Sequence, residues 1–183
     1  MPATERSFAA LTEDHLGRLR VIAAHDRARF HRTRPEYRDR HLATVLAQGG
    51  ALHFLNGTNG VKDLDVWSFY SLVPGSKWPA DRRNTCADFG ISSLGKQAYD
   101  LATAPDLRTT SNYEKWSKFE GRRVDLLMRA LAVPLDNDPA TAVRAWLTAG
   151  ERKGRGSAWF LAQKAVVLID PSSRCGEIIW PVG

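Results

Sequence analysis

Leu11, Leu16, Leu19, Ile22 and Ala23 recur every three or four positions, the spacing of one face of an α-helix. Thr12 followed by Glu13 and Asp14 offers an N-cap and first-turn acids, so the pattern predicts a helix over 12–32. Arg34-Pro35 interrupts it. Pro35 suits the first turn of a second helix, which would carry Leu42, Val45 and Leu46 and end at Gly49-Gly50. Ala51 to Leu55 is a short apolar run that reads as a buried strand, and Asn56-Gly57-Thr58-Asn59-Gly60 reads as a turn. Asp63 to Val73, rich in β-branched and aromatic residues, reads as a further strand, whereas 74–119 shows no period and reads as irregular.

The second half is patterned more simply. Arg122 to Met128 reads as a strand, with a helix starting at Leu126 as the alternative. Asp138 with Pro139 opens a helix to about Ala149. A basic turn at 151–156 precedes a helix from Ser157 to Lys164. Val166 to Ile169 and Glu177 to Trp180 then read as two strands joined by a turn over 171–176. The fold class expected is α/β (α+β): a mixed sheet flanked by N- and C-terminal helices. One domain, 1–183, would comprise N-terminal helices (1–49), a core (50–130) and C-terminal helices and strands (131–183).

Composition bounds the partners. The chain has 183 residues, 43% of them hydrophobic, enough for one packed domain. No apolar run nears the ~18 residues of a membrane span, and the first residues lack a signal-peptide layout. No membrane partner is expected. Cys86 and Cys175 match no zinc or redox spacing, which reads as reduced thiols in a cytoplasmic protein. The net charge of +6 and pI near 9.6 favour anionic partners. Nine arginines between Arg6 and Arg40 are accompanied by six acids between Glu5 and Asp39, a pattern that suits a solvated helical face or a nucleic-acid surface.

Asp63-Leu64-Asp65-Val66 carries the candidate chemistry. On a strand, Asp63 and Asp65 project to one side while Leu64 and Val66 enter the core. Two neighbouring carboxylates repel each other unless a cation joins them, and Mg²⁺ takes one or two carboxylates together with waters and phosphates. Gly57 and Thr58, in the turn just upstream, offer backbone N–H groups and a hydroxyl to a phosphate. Asp125 places a third carboxylate in an otherwise apolar strand pattern, where a lone charge is costly. Arg123, two residues away and on the same face, is the alternative explanation, as its salt-bridge partner.

In these residues the sequence resembles the nucleotidyltransferase superfamily, the fold of β-type polymerases, poly(A) and CCA-adding enzymes, and small antibiotic-modifying and toxin nucleotidyltransferases. Leu55-Asn56-Gly57-Thr58 looks like the family's apolar-Gly-Gly/Ser element, Asp63-Leu64-Asp65-Val66 like its paired acids and Val124-Asp125-Leu126 like its third acid. Thr58 stands where Ser or Gly is usual. Only the four residues Asn59 to Lys62 separate that element from Asp63, fewer than usual.

The resemblance implies Mg²⁺ held by Asp63, Asp65 and Asp125, with Asp125 also helping to activate an acceptor hydroxyl. The reaction implied is transfer of a nucleotidyl group from an NTP to a hydroxyl acceptor, and the basic balance favours RNA, such as a tRNA end as in toxin-type relatives, slightly over a small molecule. Lys164 could reach the triphosphate or simply complement a helix end, and Lys62 could neutralise a phosphate or pair with Asp63. Competing expectations are a non-catalytic nucleic-acid-binding module and a metal-dependent nuclease.

Arg82 and Arg83 could meet phosphate or be solvated. Asp88-Phe89-Gly90 lacks every companion of the kinase motif it superficially matches. The five histidines include no His-x-x-x-His pair. His53 reads as a core histidine on a strand, and Trp67 and Trp78 as core residues.

Overall fold

Helix α1 spans Glu13–Thr33, as its periodicity predicts. The Thr12 backbone N–H donates to His15 Nδ1 at 2.9 Å, closing the first turn. A computed structural model describes residues 6–78, 84–97, 118–148 and 164–181 of this chain. Beyond α1 come β1 (His41–Ala47), α2 (Gln48–Asn56), β2 (Leu64–Ser71), β3 (Asn84–Asp88), β4 (Arg123–Leu131), α3 (Pro139–Thr148), β5 (Ala165–Asp170) and β6 (Ile178–Trp180).

Two expectations are corrected. The second half of the supposed helix after Pro35 is a strand, β1, preceded by a single 3₁₀ turn at Pro35–Tyr37. The supposed strand 51–55 lies inside helix α2. The reason is burial: six of the seven β1 residues are buried, so the segment has no polar face from which a period could be read. Gly49 and Gly50 therefore begin a helix where they were expected to end one. β3 forms inside the stretch expected to be irregular, while the expected helix from Ser157 and the Arg82-Arg83 pair lie outside the described residues.

The strands form one mixed sheet in the order β3-β4-β2-β1-β5-β6, with β2 and β4 parallel and every other pair antiparallel. Its two faces are covered differently. Leu16, Leu19 and Ala23 of α1 and Ala51 of α2 pack on Leu46, Leu64, Val66, Val124, Leu126 and Val167. Ala142, Val143 and Leu147 of α3 pack on Val45, Ala47, Trp67, Phe69 and Leu168. An α+β architecture with a helix-flanked mixed sheet is thus what the chain adopts.

Polar side chains fix α1 and α3. Arg27 donates to Thr44 Oγ1 at 2.7 Å and pairs with Asp170 at 2.8 Å, and burial beside this guanidinium lowers His41 to about 3, so that imidazole stays neutral. Asp138 caps α3, accepting from the Thr141 N–H at 2.8 Å and from Arg174 at 2.6 Å. The Thr141 backbone bond, then Arg174, hold the Asp138 carboxyl down at about 2. Asp138→Ala is expected to cost about 1 kcal/mol, as N-cap losses do. Because the folded group titrates below the unfolded one, that contribution is present above pH 4 and lost as pH falls through about 2. Urea melts of both proteins at pH 7 and pH 2 check this; an equal difference at both pH values would contradict it.

Candidate functional site

Alternation along β2 and β4 sends Leu64, Val66, Val124 and Leu126 into the core beneath α1. The intervening residues, Asp63, Asp65, Arg123 and Asp125, consequently share the opposite face. Parallel pairing sets Asp65 directly beside Asp125, and the same row continues to Cys86 on β3 and to Ala47 and Val166 on β1 and β5. Three carboxylates thus gather within two strand widths, roughly 10 Å.

Arg123 already serves as a cation between two of them. Its Nη2 lies 2.8 Å from Asp63 Oδ2 and 2.6 Å from Asp125 Oδ2, with the three side chains only 13%, 20% and 17% exposed. The Cys86 thiol donates to the other Asp125 oxygen at 3.3 Å. Asp65 has no such bond among those described and is pushed up to about 7, first by burial and then by the charges of Asp63 and Asp125, against the pull of Arg123 and Lys164. Burial also raises Asp125, with Arg123 and Cys86 opposing it. Three carboxylates facing one guanidinium leave Asp65 as the place where negative charge is least compensated.

The β1–α2 junction meets this row. Ala47 pairs with Asp65, and the next residue, Gln48, adopts a left-handed φ of +56°, a strained conformation for a side chain of its size. Gly49 and Gly50 then form the first turn of α2. A Cβ on Gly50 would come within 3.1 Å of Leu46 and 3.2 Å of Leu64, whereas one on Gly49 would meet nothing within 4 Å. The first turn of α2 thus starts one residue after Ala47, the strand partner of Asp65, and backbone N–H groups of a first helical turn suit a phosphate.

Gly57 and Thr58 stand elsewhere. Gly57, with φ +64°, is the left-handed C-cap of α2, its N–H bonded to His53 O at 2.7 Å, and the Thr58 N–H donates to Asn56 Oδ1 at 3.0 Å. They sit at the carbonyl end of α2, which carries negative partial charge, roughly 13 Å along the helix axis from its first residue. Their N–H groups are engaged within the chain, at the helix end that least favours an anion. A second Gly pair, Gly49-Gly50, is followed by twelve residues, Ala51 to Lys62, before Asp63.

The lysines differ in the same way. Lys62 is exposed. Lys164 immediately precedes Ala165, which bridges to Gln48, and its charge acts on Asp65.

His53 is a core histidine, as expected, but on helix α2, where its Nε2 bonds Ala9 O at 2.7 Å and its Nδ1 the carbonyl of Asn59. Trp67 packs on Phe69 and Trp146, and Trp78 on Phe30, Tyr37 and Tyr70. Asp88 binds the N–H groups of Gly90, Glu120 and Gly121, a loop staple.

The donor chemistry fits a hard divalent cation, since carboxylate oxygens are what Mg²⁺ prefers and it needs only one or two of them. Among the described residues no three His, Cys, Asp or Glu side chains converge closely enough to enclose a metal, because Arg123 stands between Asp63 and Asp125. An ion here would be held by Asp65 with one neighbour and completed by phosphate and water. No described helix is long and apolar enough to cross a membrane. Comparison with protein-family models, with curated proteins and with solved structures finds no match for this chain.

Proposed function

We propose that this chain is a Mg²⁺-dependent nucleotidyltransferase, moving a nucleotidyl group from an NTP to a hydroxyl acceptor with release of pyrophosphate. The observation that carries the reading is the undercompensated carboxylate of Asp65, set between two other acids and beside a bare helix N-terminus. Asp65 and Asp63 would hold the ion, which when bound neutralises the phosphates. Gly49 and Gly50 present N–H groups to phosphate oxygens, and Lys164 approaches from the β5 side as a point charge. Asp125, its carboxyl raised by burial, can accept the proton of the acceptor hydroxyl.

Incubation with α-³²P-labelled NTPs, Mg²⁺ and total RNA tests the reading: label in RNA together with released pyrophosphate is expected. Shortened RNA without pyrophosphate would favour a nuclease instead, and neither product would contradict both.

A substitution at the junction separates fold from function. Gly49→Ala puts a methyl group into open space on α2, so stability should stay level or rise by up to about 1 kcal/mol. NTP affinity should fall about tenfold, because that methyl group projects where phosphate must approach. Calorimetric titration with NTP checks this; unchanged affinity would remove Gly49 from the phosphate site.

A further inference from the structure

A concave surface lies away from the carboxylate face. On the other side of the sheet, between α1 and the edge strand β3, lies a cavity of about 580 Å³. That size falls in the range of about 300–1,000 Å³ usual for ligand sites. Its floor is apolar, formed by Ile22, Ala87 and Leu126, and its rim is basic, formed by Arg29 and Arg32 with His25. The rim follows from sequence: positions 25, 29 and 32 fall on one helical stripe, and all three side chains are exposed. The acid on this surface, Asp88, spends its oxygens on the N–H groups of Gly90, Glu120 and Gly121. Arg29 is partly compensated by the buried Asp26 at 3.1 Å, which also accepts from Thr85 on β3.

An apolar floor under a basic rim matches a nucleotide unit, with its flat base and anionic phosphate. The ligand is not the NTP itself. Ala87 and Leu126 line the groove while their chain neighbours Cys86 and Asp125 face the carboxylates, so a nucleotide in the groove is one sheet thickness from Asp65. A strand of nucleotides, by contrast, can lie in the groove and pass over the edge strand β3 to deliver its end to Asp125. We infer that the α1–β3 groove binds the sugar-phosphate backbone and one base of a single-stranded RNA acceptor; as an acceptor site, this rests on the transferase reading above.

The test is fluorescence anisotropy with a labelled single-stranded RNA of about twelve nucleotides, without Mg²⁺ or NTP. Wild type should bind with strong salt dependence. The double variant Ala28→Glu, Arg32→Glu adds carboxylates to the groove while leaving the Asp26–Arg29 pair in place, and its melting temperature, followed by circular dichroism, reports that it folds. It should bind about tenfold or more weakly, with a flatter dependence on log salt, as expected when phosphate contacts are removed.

Equal binding by a folded double variant, or no binding by wild type, overturns the inference. Mg²⁺-dependent NTP binding without RNA binding would sink the groove alone and leave the transferase reading standing. RNA binding lost in the double variant, in a protein that binds no NTP, would keep the groove and sink the transferase reading.

Discussion

Asp65→Asn is expected to make the metal-free protein more stable at pH 8 while cutting transfer sharply. The folded Asp65 carboxyl titrates at about 7 against an ordinary 3.8, so between those values the folded state retains a proton that the unfolded chain has lost. Stability of the wild type should therefore fall as pH rises from about 4 to 7. The full difference is on the order of 4 kcal/mol at one pKa unit per 1.36 kcal/mol. Asparagine keeps the shape and cannot ionise, so the variant should lose that slope and exceed the wild type above pH 7. Transfer should drop by about a hundredfold or more, since even outer partners of metal ligands are worth about 10–100-fold in affinity or activity. Urea melts from pH 4 to 8 and the labelled-NTP assay check the two halves separately. A variant less stable than wild type at pH 8 would show Asp65 to be a structural acid.

Arg123→Met should act in the opposite direction. Its guanidinium pairs with both Asp63 and Asp125 in a largely buried setting. Removing one partner of a buried pair commonly costs about 3–5 kcal/mol because the remaining charge is stranded. Methionine preserves most of the volume, so the loss is chiefly electrostatic. It should shrink as the medium is acidified, because Asp125, without the arginine that opposes its burial, gains a proton more readily. Mg²⁺ should restore part of the loss at pH 8, since it supplies the charge that the arginine supplied. Melts at pH 8 and pH 5, each with and without Mg²⁺, check this; a loss indifferent to both would mean that Arg123 acts through packing.

These opposed effects describe one feature, a carboxylate cluster whose resident counter-ion is an arginine. Metal-free, the site is compensated at Asp63 and Asp125 and overcharged at Asp65. On the transferase reading, a phosphate-bound cation at Asp65 would relieve that excess and tie nucleotide binding to stability in a measurable way.

The sequence made this cluster legible because strand alternation is a local rule. Leu64 and Val66 had to be buried, and once they were, Asp63 and Asp65 had to share the other face. Arg123 was equally readable, as the only base two residues from Asp125 within the strand pattern. What was not local was missed. β1 sits between two other strands and is buried on both faces, so Leu42, Val45 and Leu46 fitted a helix as well as a strand. That misreading carried the next one, because Gly49-Gly50 then looked like a stop and Gly57-Thr58 inherited the phosphate role. Only the pairing of Ala47 with Asp65 brings the start of α2 to the strand position of the carboxylates. The α1–β3 groove needed β3, a five-residue strand within a stretch that has no period of its own.

The most direct test of the central claim, that Asp65 anchors a cation-bridged nucleotide, is a thermal-shift titration with each NTP, with and without Mg²⁺, on wild type and Asp65→Asn. A ligand that binds only the folded state at a hundredfold excess over its dissociation constant adds about 2.7 kcal/mol, a shift readily seen. The account predicts an upward shift in wild type that requires both Mg²⁺ and NTP and is absent in Asp65→Asn. No shift in wild type, or the same shift in the variant, would contradict it.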